Sequence, residues 1–530
     1  QVTGVVKDAA GEPIPGANVF WMNTTNGVTT NEDGNFSIHK PARSHMLVVS
    51  FIGFENDTIH VDKGNQQLDI VLREGVELSE VNVVTRKLGT MKLRTSVMNE
   101  DMISSAELTR AACCNLGESF VTNPSVDVSY SDAATGAKQI KLLGLSGTYV
   151  QMMTENIPNF RGAAAPYGLG YVPGPWMQSI QVSKGSSSVK NGYESITGQI
   201  NVEFKKPQLP EADWVSANLF ASSTNRYEAN ADATVKLSKR WSTSLLAHYE
   251  NETKSHDSND DGFVDIPRVE QYNVWNRWAY MGDHYVFQAG IKALHETRNS
   301  GQIAHGNTPS HDLYEIGIKT NRYEAFTKNA YIFDKEKNTN LALILQGTLH
   351  NQDANYGRKL YDVDQSNFYA SLLFETELSK QHSLSAGLSF NYDGYDQNYR
   401  LTNQAEEGLT KKFVKESVPG AYVQYTFNLN DQLMLMGGIR GDYSSEYGFF
   451  VTPRAHVKYN PNEYLHFRVS AGKGYRTNHV LAENNYLLAS SRKMKIASHL
   501  DQEEAWNYGA SVSTYIPLFG KTLNVNAEYY

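Results

Sequence analysis

The sequence is poor in the features that mark most common classes of protein. Its 530 residues include only two cysteines, Cys113 and Cys114, which are adjacent and therefore cannot bridge distant segments. The longest apolar stretch, 46–54, has about nine residues, whereas a membrane-spanning helix needs roughly 20. Lys and Arg number 48 against 57 Asp and Glu, a formal net charge of −9. These absences exclude a disulfide scaffold, a helical membrane protein and, because phosphate must be neutralised by cations, a nucleic-acid-binding protein.

Nothing in the sequence supports enzymatic catalysis. It contains no Walker motif, no Gly-x-Ser-x-Gly elbow and no His-Glu-x-x-His zinc motif, and no plausible catalytic triad. We therefore expect a protein that is not an enzyme and that requires no cofactor.

Changes in composition and in the pattern of hydrophobic residues divide the chain into four regions. Residues 1–73 contain short Val, Ile and Phe runs between turn clusters, as in a small β-sandwich. Residues 74–98 form a charged link, and residues 99–206 combine a helix-like stretch, 104–116, with Gly-rich sequence and short strands. From 207 to 530 hydrophobicity alternates with period two. The first residues already resemble a strand, without a charged or apolar leader, so we expect a mature form if the protein is exported.

The alternating region predicts a transmembrane β-barrel that begins near Asp213. In one strand the apolar face carries Trp241, Leu245, Ala247 and Tyr249, and the polar face carries Ser242, Ser244, His248 and Glu250. Strands of a soluble β-sandwich also alternate polar and apolar residues, so the lengths of the connections are needed to distinguish it from a transmembrane barrel. Short turns alternate with long loops, as in an outer-membrane barrel with a periplasmic and an extracellular rim. The long loops are predicted at 254–268, 298–319, 353–365, 400–412 and 475–503.

About 15 strands fit into this region, and a closed bacterial barrel needs an even number, so we expect the wall to continue beyond Tyr530. A lumen of this width needs a plug, and region 99–206 has the right size. The predicted fold class is all-β: a large antiparallel transmembrane barrel, C-terminally incomplete here, with a mixed α+β plug and an N-terminal β-sandwich.

The N-terminal region resembles a known family of small domains. Residues 4–8, 11–19, 30–36 and 51–54 are similar to the carboxypeptidase regulatory-like domain. The resemblance implies a transthyretin-like β-sandwich without catalytic residues, which serves as a docking or structural module.

The middle region resembles the plug of TonB-dependent outer-membrane receptors. Four motifs carry this resemblance in order, at 123–128, 140–145, 179–185 and 192–202. In the barrel, 468–476 is similar to a late strand of the same family, and a regulatory-like domain ahead of the plug resembles the Bacteroidetes branch. Leu143 and segment 155–158 depart from the family pattern, so ligand contacts near the plug apex cannot be carried over.

The link contains an extended segment whose composition fits both an ordinary linker and a strand donated to a partner's sheet edge. Its position, where the family has its TonB box, favours the donated strand and implies TonB of the inner-membrane complex as a partner. The residues are Glu77, Leu78, Ser79, Glu80, Val81, Asn82, Val83, Val84 and Thr85.

The resemblance implies binding and transport. A barrel surrounded by outer-membrane lipid would capture a scarce small extracellular ligand or metal chelate, and TonB would pull on the box so that the plug rearranges and the ligand reaches the periplasm. Two other functions stay open: a non-transporting outer-membrane adhesin or assembly component, and a soluble glycan-binding β-protein.

One acidic loop has the spacing of a calcium site. Asp257, Asn259, Asp261 and Asp265 place oxygen ligands at alternate positions, and a glycine stands where such loops turn sharply. The carboxylate expected at position 12 is replaced by Arg268. A bound Ca²⁺ and a merely acidic loop are both compatible with this pattern.

Four sulfur-bearing residues predict a possible soft-metal site in the plug. Cys113 and Cys114 follow the helix-like stretch, and Met152 and Met153 lie in a segment that resembles the ligand-facing part of other plugs. Thiolates and thioethers together favour copper, with siderophore, haem and cobalamin as rival ligands. Buried packing or a vicinal disulfide would also explain the cysteines.

Three histidines, His295, His305 and His311, fall in or beside one long loop with Asp312. They fit either a polar surface loop or a site that captures metal.

Overall fold

The computed structural model describes residues 2–8, 11–21, 27–31, 33–40, 46–51, 57–61, 66–72, 90–93, 96–110, 114–121, 123–207, 214–303, 313–404, 408–430, 432–462, 464–518 and 521–530. In this part of the chain, no helix combines the length and the apolar character that crossing a membrane would require.

The N-terminal region forms two small sheets around one apolar core. One sheet has the strand order β4-β1-β7 and the other β3-β2-β5-β6. Trp21, Phe36 and Leu47 are among the buried residues between them. The strands are β1 (Val2–Lys7), β2 (Asn18–Trp21), β3 (Gly27–Thr29), β4 (Asn35–Ile38), β5 (Met46–Ser50), β6 (Asp57–His60) and β7 (Gln67–Val71). The predicted N-terminal β-sandwich is thus present as a β-domain.

The next region is built on a six-stranded sheet of order β13-β12-β15-β14-β9-β8, beside a separate β10–β11 hairpin. The predicted helix at 104–116 is shorter where it is described, since α1 ends at Arg110. The elements are β8 (Thr90–Lys92), β9 (Glu100–Ser104), α1 (Ser105–Arg110), β10 (Val126–Asp132), β11 (Ala137–Leu142), β12 (Val150–Thr154), β13 (Ile157–Pro158), β14 (Met177–Lys184) and β15 (Gly198–Phe204).

A single sheet of 15 strands follows, in which each strand pairs antiparallel with its neighbours in sequence. Its strands are β16 (Trp214–Ala221), β17 (Arg226–Lys236), β18 (Trp241–Glu252), β19 (Arg268–Met281), β20 (Tyr285–Gly301), β21 (Glu315–Asp334), β22 (Thr339–Tyr356), β23 (Lys359–Ser379), β24 (His382–Arg400), β25 (Thr410–Leu429), β26 (Leu433–Ser444), β27 (Gly448–Asn462), β28 (Leu465–Arg476), β29 (Glu503–Leu518) and β30 (Lys521–Tyr529). A short helix, α2 (Val480–Glu483), lies between β28 and β29. The strand count and the start near Asp213 are as predicted, and β16 and β30 form the two edges of the described sheet.

The outer face of this sheet carries an apolar band. On β20 the outward side chains are apolar from Tyr285 to Ala293, and on β22 from Leu341 to Leu349. Each stretch spans nine residues, which matches the 9–11 that a tilted strand needs to cross a bilayer. Beyond the band the outward-facing residues are polar. Asn321 of β21 is one of them, and it pairs directly with polar residues of β20 and β22. The band is therefore level across neighbouring strands, as a bilayer requires.

Polar residues line the opposite face. Ser242, Ser244, His248 and Glu250 are all buried, whereas Leu245 on the same strand is 48% exposed. The two faces predicted from period two are therefore confirmed, and the polar one points inward.

The connections between strands are all short at one rim, and the long ones lie at the other rim. The segments 253–267, 302–314, 401–409 and 477–502 separate strands at the second rim. The long loop predicted at 353–365 was wrong, because β22 and β23 continue to a two-residue connection. Its polar composition reflects a hairpin that rises above the apolar band, where the outward face meets water, whereas inward residues such as Tyr356 and Tyr361 are buried.

The apolar band predicts a depth-dependent cost of a charge on one strand. Leu345→Arg, near the middle of the band on β22, should lower the free energy of unfolding by about 2–4 kcal/mol, since an exposed guanidinium is poorly solvated there. Asn351→Arg, above the band and beside Asp364, should cost about 0–1 kcal/mol. Denaturant titration in lipid bilayers measures both, and equal losses would contradict this placement of the membrane.

Candidate functional site

The six-stranded unit lies on the concave face of the 15-stranded sheet and contacts strands from β17 to β30. Part of this contact is apolar. The ring of Phe204 lies edge-on to Trp275 of β19 with centroids 4.7 Å apart, and Trp176 lies 6.3 Å from the same indole. These residues belong to one buried cluster shared by both units. The inner unit therefore fills the lumen as a plug.

A tight turn carries the most buried ion pair between plug and wall. Glu155 and Asn156 connect β12 to β13 with φ values of 50° and 60°, as in a type I′ turn. Asn156 tolerates this conformation, and its main-chain N–H donates to Asn201 Oδ1 at 2.8 Å. The turn points the Glu155 side chain at the wall.

Glu155 meets two cations of the wall. Its carboxylate lies 2.6 Å from the guanidinium of Arg277, and the two side chains are 3% and 1% exposed. Lys328 lies 3.8 Å from the same carboxylate and donates to the Glu155 main-chain carbonyl at 2.9 Å. Removing one partner would leave a buried, uncompensated charge, so loss of either side chain should destabilise the docked plug.

A second polar contact lies directly after β13, the strand that follows the turn. Arg322 of β21 donates to Asn159 Oδ1 at 2.5 Å, and Asn159 Nδ2 donates to Glu324 at 2.9 Å. Arg322 and Glu324 also pair with each other at 2.9 Å. The amide of Asn159 therefore joins an ion pair of the wall.

Other wall cations bind main-chain carbonyls of the plug. Such bonds depend on the path of the plug backbone and not on its side chains. The donor–acceptor pairs are Arg277 to Lys205 (2.8 Å), Lys292 to Tyr171 (3.4 Å), Arg298 to Thr135 (3.2 Å), and Arg454 to Ser187 (3.3 Å) and Ser188 (3.0 Å).

Arg161 sits between a plug carboxylate and a wall carboxylate. Its Nε donates to Glu194 at 3.1 Å, and its Nη1 lies 3.3 Å from Asp393 of β24. Burial acts to lower the pKa of Arg161, but Glu194 and Asp393 outweigh it and hold that pKa well above the usual value. The guanidinium is therefore a permanent cation at this junction.

The long connection between β28 and β29 folds over the plug. Leu481, Ala482 and Leu488 are buried in the same apolar cluster as plug residues. Asn485 accepts hydrogen bonds from Tyr167 of the plug at 3.2 Å and Tyr356 of the wall at 3.0 Å. Burial raises the pKa of Tyr167 to about 12, so its hydroxyl remains a donor at neutral pH. Segment 480–489 thus joins plug and wall.

Comparison with protein families agrees with this architecture. The CarboxypepD_reg-like domain matches residues 2–84, the TonB-dependent receptor plug domain matches 92–199, and the TonB dependent receptor-like β-barrel matches 185–530, or 346 of the 530 residues. The chain belongs to the TonB-dependent receptors. Receptors of this family reside in the bacterial outer membrane and are not enzymes, so the predicted location is confirmed and a soluble glycan-binding protein is excluded.

Curated relatives share part of the sequence. The TonB-dependent receptor SusC of Bacteroides thetaiotaomicron is 27% identical over 242 residues, which cover 43% of this chain and 23% of SusC. The TonB-dependent receptor P39 of Formosa agariphila is 35% identical over 85 residues, 16% of this chain and 8% of P39. The chain therefore matches less than a quarter of the length of these relatives.

Solved receptors share the fold at low sequence identity. The alcaligin receptor FauA of Bordetella pertussis has a TM-score of 0.64 at 13% identity, covering 85% of this chain and 75% of FauA. FpvA of Pseudomonas aeruginosa, solved with heterologous pyoverdines, has a TM-score of 0.64 at 14% identity, covering 86% of this chain and 67% of FpvA. At this level of identity, the similarity to these two receptors shows a shared fold.

The predicted TonB box at 77–85 lies outside the described residues of the receptor. The first described strand after it is β8, which forms the edge of the plug sheet. The assignment of the box therefore stays a prediction.

The acidic loop of the receptor is organised by its own backbone. Asp257 accepts the main-chain N–H groups of Asp261 at 3.1 Å and Gly262 at 2.9 Å, and Asp265 accepts that of Ser258 at 2.7 Å. The hydrogen bonds from Ser258 lower the pKa of Asp265. Across the described part of the receptor, no three His, Cys, Asp or Glu side chains are grouped to hold a metal. The calcium site stays a prediction.

The structure separates the predicted sulfur ligands. Met152 and Met153 are successive residues of β12 and therefore point to opposite faces of the plug sheet. Cys114 is 6% exposed, and burial, with Glu228 adding to it, raises the pKa of its thiol far above the usual value. A thiol that stays protonated is a poor metal ligand. Cys113 lies outside the described residues.

The predicted histidine group is represented only by His295. Its Nδ1 lies 2.7 Å from Asn321 Oδ1 on the outer face of β20 and β21. His305, His311 and Asp312 lie outside the described residues, so metal capture by this loop stays a prediction.

The wall cations that hold the plug were not predicted from the sequence. Arg277, Lys292, Arg322 and Arg454 each occupy an inward position of a strand in which inward and outward residues alternate. The two-residue periodicity of these strands was sufficient to identify these residues as charges that point inward. Their partners could not be found in the same way, because most are main-chain carbonyls of irregular plug segments.

Loss of the Glu155 carboxylate should weaken plug docking. Glu155→Gln keeps the side-chain shape but leaves Arg277 without its anion, so we expect a loss of about 3–5 kcal/mol in the stability of the docked plug. Hydrogen exchange of β12 and β15 in the purified receptor measures this loss.

Lys190→Met provides the matched control. It removes a half-buried pair with Glu375, whose side chains are 27% and 22% exposed. Partly hydrated pairs contribute about 0–1 kcal/mol, so plug exchange should change little. Equal effects of the two substitutions would contradict a special role for Glu155.

Proposed function

We propose that this chain is the plug and barrel part of an outer-membrane importer. It binds a scarce extracellular ligand and releases it to the periplasm when TonB pulls on 77–85. The observation that carries the proposal is the folded plug, bonded to wall strands from β17 to β30. A barrel that only anchored an adhesin or an assembly component would need neither a plug nor a box.

The chemistry of the plug–wall contact supports this function. Many of the bonds run from Arg or Lys side chains to main-chain carbonyls or carboxylates, groups that water also solvates well. A plug held in this way can separate from the wall and dock again at lower cost than one held by a continuous apolar core. Contacts of this kind suit a part that moves in each transport cycle.

The ligand class that we propose is a transition metal or its chelate. FauA is an alcaligin receptor, FpvA was solved bound to heterologous pyoverdines, and the present chain shares their fold. A siderophore-like chelate would be captured whole, without ligation by protein sulfur. Direct copper binding requires the sulfur residues of the plug, and the two modes are therefore distinguishable.

Substitution of the cysteines separates these modes. If copper is bound directly, Cys113→Ser with Cys114→Ser should weaken Cu(I) binding by orders of magnitude, because thiolates are the preferred soft ligands. If the ligand is a whole chelate, the substitution should leave its binding unchanged. Elemental and small-molecule mass spectrometry of the purified receptor, before and after the substitution, measures both, and retained copper in the double variant would end the direct site.

Deletion of 77–85 should separate binding from transport. A donated strand offers backbone hydrogen bonds to TonB and makes no contact with the extracellular ligand. Ligand binding to whole cells should therefore persist while energy-dependent uptake is lost. A scrambled 77–85 of equal length controls for linker length, and full uptake by the deletion variant would remove the proposed role of this segment.

A further inference from the structure

The strand nearest the predicted box is held weakly by its own sheet. β8 is an edge strand and pairs with β9 through three residue pairs, Thr90 with Ile103, Met91 with Met102 and Lys92 with Asp101. Only residues 86–89 separate it from the box. Any pull transmitted by the box therefore reaches β8 before any other plug strand.

The wall also holds β8. Lys92 Nζ lies 2.6 Å from Glu528 of β30, and the Lys92 side chain is 6% exposed. Arg468 of β28 donates to the main-chain carbonyls of Leu93 at 3.2 Å and Ser96 at 3.4 Å. The edge strand is thus fastened to two strands that are fixed in the membrane.

Glu528 is shared between two lysines of the plug. Lys184 of β14 lies 2.8 Å from Glu528 and 2.8 Å from Asp101. The four side chains, Lys92, Lys184, Asp101 and Glu528, contain two cations and two anions. If Lys92 is withdrawn, both carboxylates keep Lys184 as a partner, so neither becomes the isolated buried charge that makes most buried pairs costly to break.

Release of Lys92 from the wall also removes the energetic cost of burying its ammonium group. Burial lowers its pKa from the usual value, although Glu528 acts in the opposite direction. A lysine that leaves the lumen regains full hydration of its ammonium group. Lys184 has no such freedom, because it lies on β14 between two other strands of the sheet.

We propose that Lys92 and Glu528 form a releasable latch that fastens β8 to the barrel wall and sets the first resistance to a pull on the plug. The inference rests on the proposed function, since it takes 77–85 as the pulled segment. Under load, the three pairs from Thr90 to Lys92 would open in one first step, and that step is complete only when the latch yields. β14 and the rest of the plug sheet stay in place at this step.

Single-molecule pulling on the receptor in lipid bilayers tests the latch. A handle on Lys87→Cys, in a background of Cys113→Ser and Cys114→Ser, loads β8 directly and leaves the N-terminal domain outside the loaded path. At constant force, Lys92→Met should shorten the dwell time before the first step by about tenfold or more, because an ion pair that resists opening is lost. Lys92→Arg keeps the charge and should restore most of the dwell time.

Two further variants complete the test. Glu528→Gln should shorten the first dwell time as Lys92→Met does. Lys190→Met removes a different plug–wall ion pair, with Glu375 at 3.4 Å, and should leave the first dwell time unchanged. An unchanged dwell time in Lys92→Met would overturn the latch, as would an equal shortening in Lys190→Met.

This measurement is independent of TonB, because the load is applied by the instrument. Failure of the box deletion to stop uptake would reject the proposed function without altering the dwell times. A normal dwell time in Lys92→Met would reject the latch while leaving the function intact.

Discussion

Inside a bilayer, every main-chain N–H and C=O must find a partner within the protein, and this constraint shapes the rest of the receptor. Within the described sheet, the 13 strands from β17 to β29 meet it by pairing on both sides with their neighbours in sequence. Side chains of such strands alternate between lipid and lumen, so an apolar outer face requires that the other half of each strand point inward. That inner half is free to be polar, and here it carries Arg277, Lys292 and Arg454. The polar lumen is thus a consequence of how the wall is built.

A polar lumen determines how a plug can be held. Apolar packing is available in places, as between Phe204 and Trp275, but many inward positions offer charges, amides or hydroxyl groups. Each buried charge needs a partner, and the plug provides carboxylates such as Glu155 and a series of main-chain carbonyls. The docked plug is specific because unpaired charges are costly. It is also separable, because water can replace many of these bonds.

Several predictions from sequence failed at positions where the membrane or the sheet changes the meaning of a pattern. Polar residues at 353–365 were interpreted as a loop, although they form the upper part of two strands that leave the bilayer. Met152 and Met153 were predicted as sulfur ligands because both lie in a segment that resembles the ligand-facing part of other plugs, but successive residues of a strand point to opposite faces. The helix-like stretch after Ser104 forms an α-helix only as far as Arg110 within the described residues. In each case the local composition was right and the local geometry was not.

The sequence by itself determined the wall of this protein: the fold class, the number of described strands, their inward and outward faces and the family to which the plug and barrel belong. These features depend on periodicity and on motifs, which are local and can be read along the chain. Only the tertiary structure decided which groups meet across the lumen, such as Glu155 with Arg277, or Lys92 with Glu528 more than 400 residues away. The reason is physical. Contacts between plug and wall depend on how a folded unit sits inside a curved sheet. The residue pattern of the plug or of the wall does not determine that position.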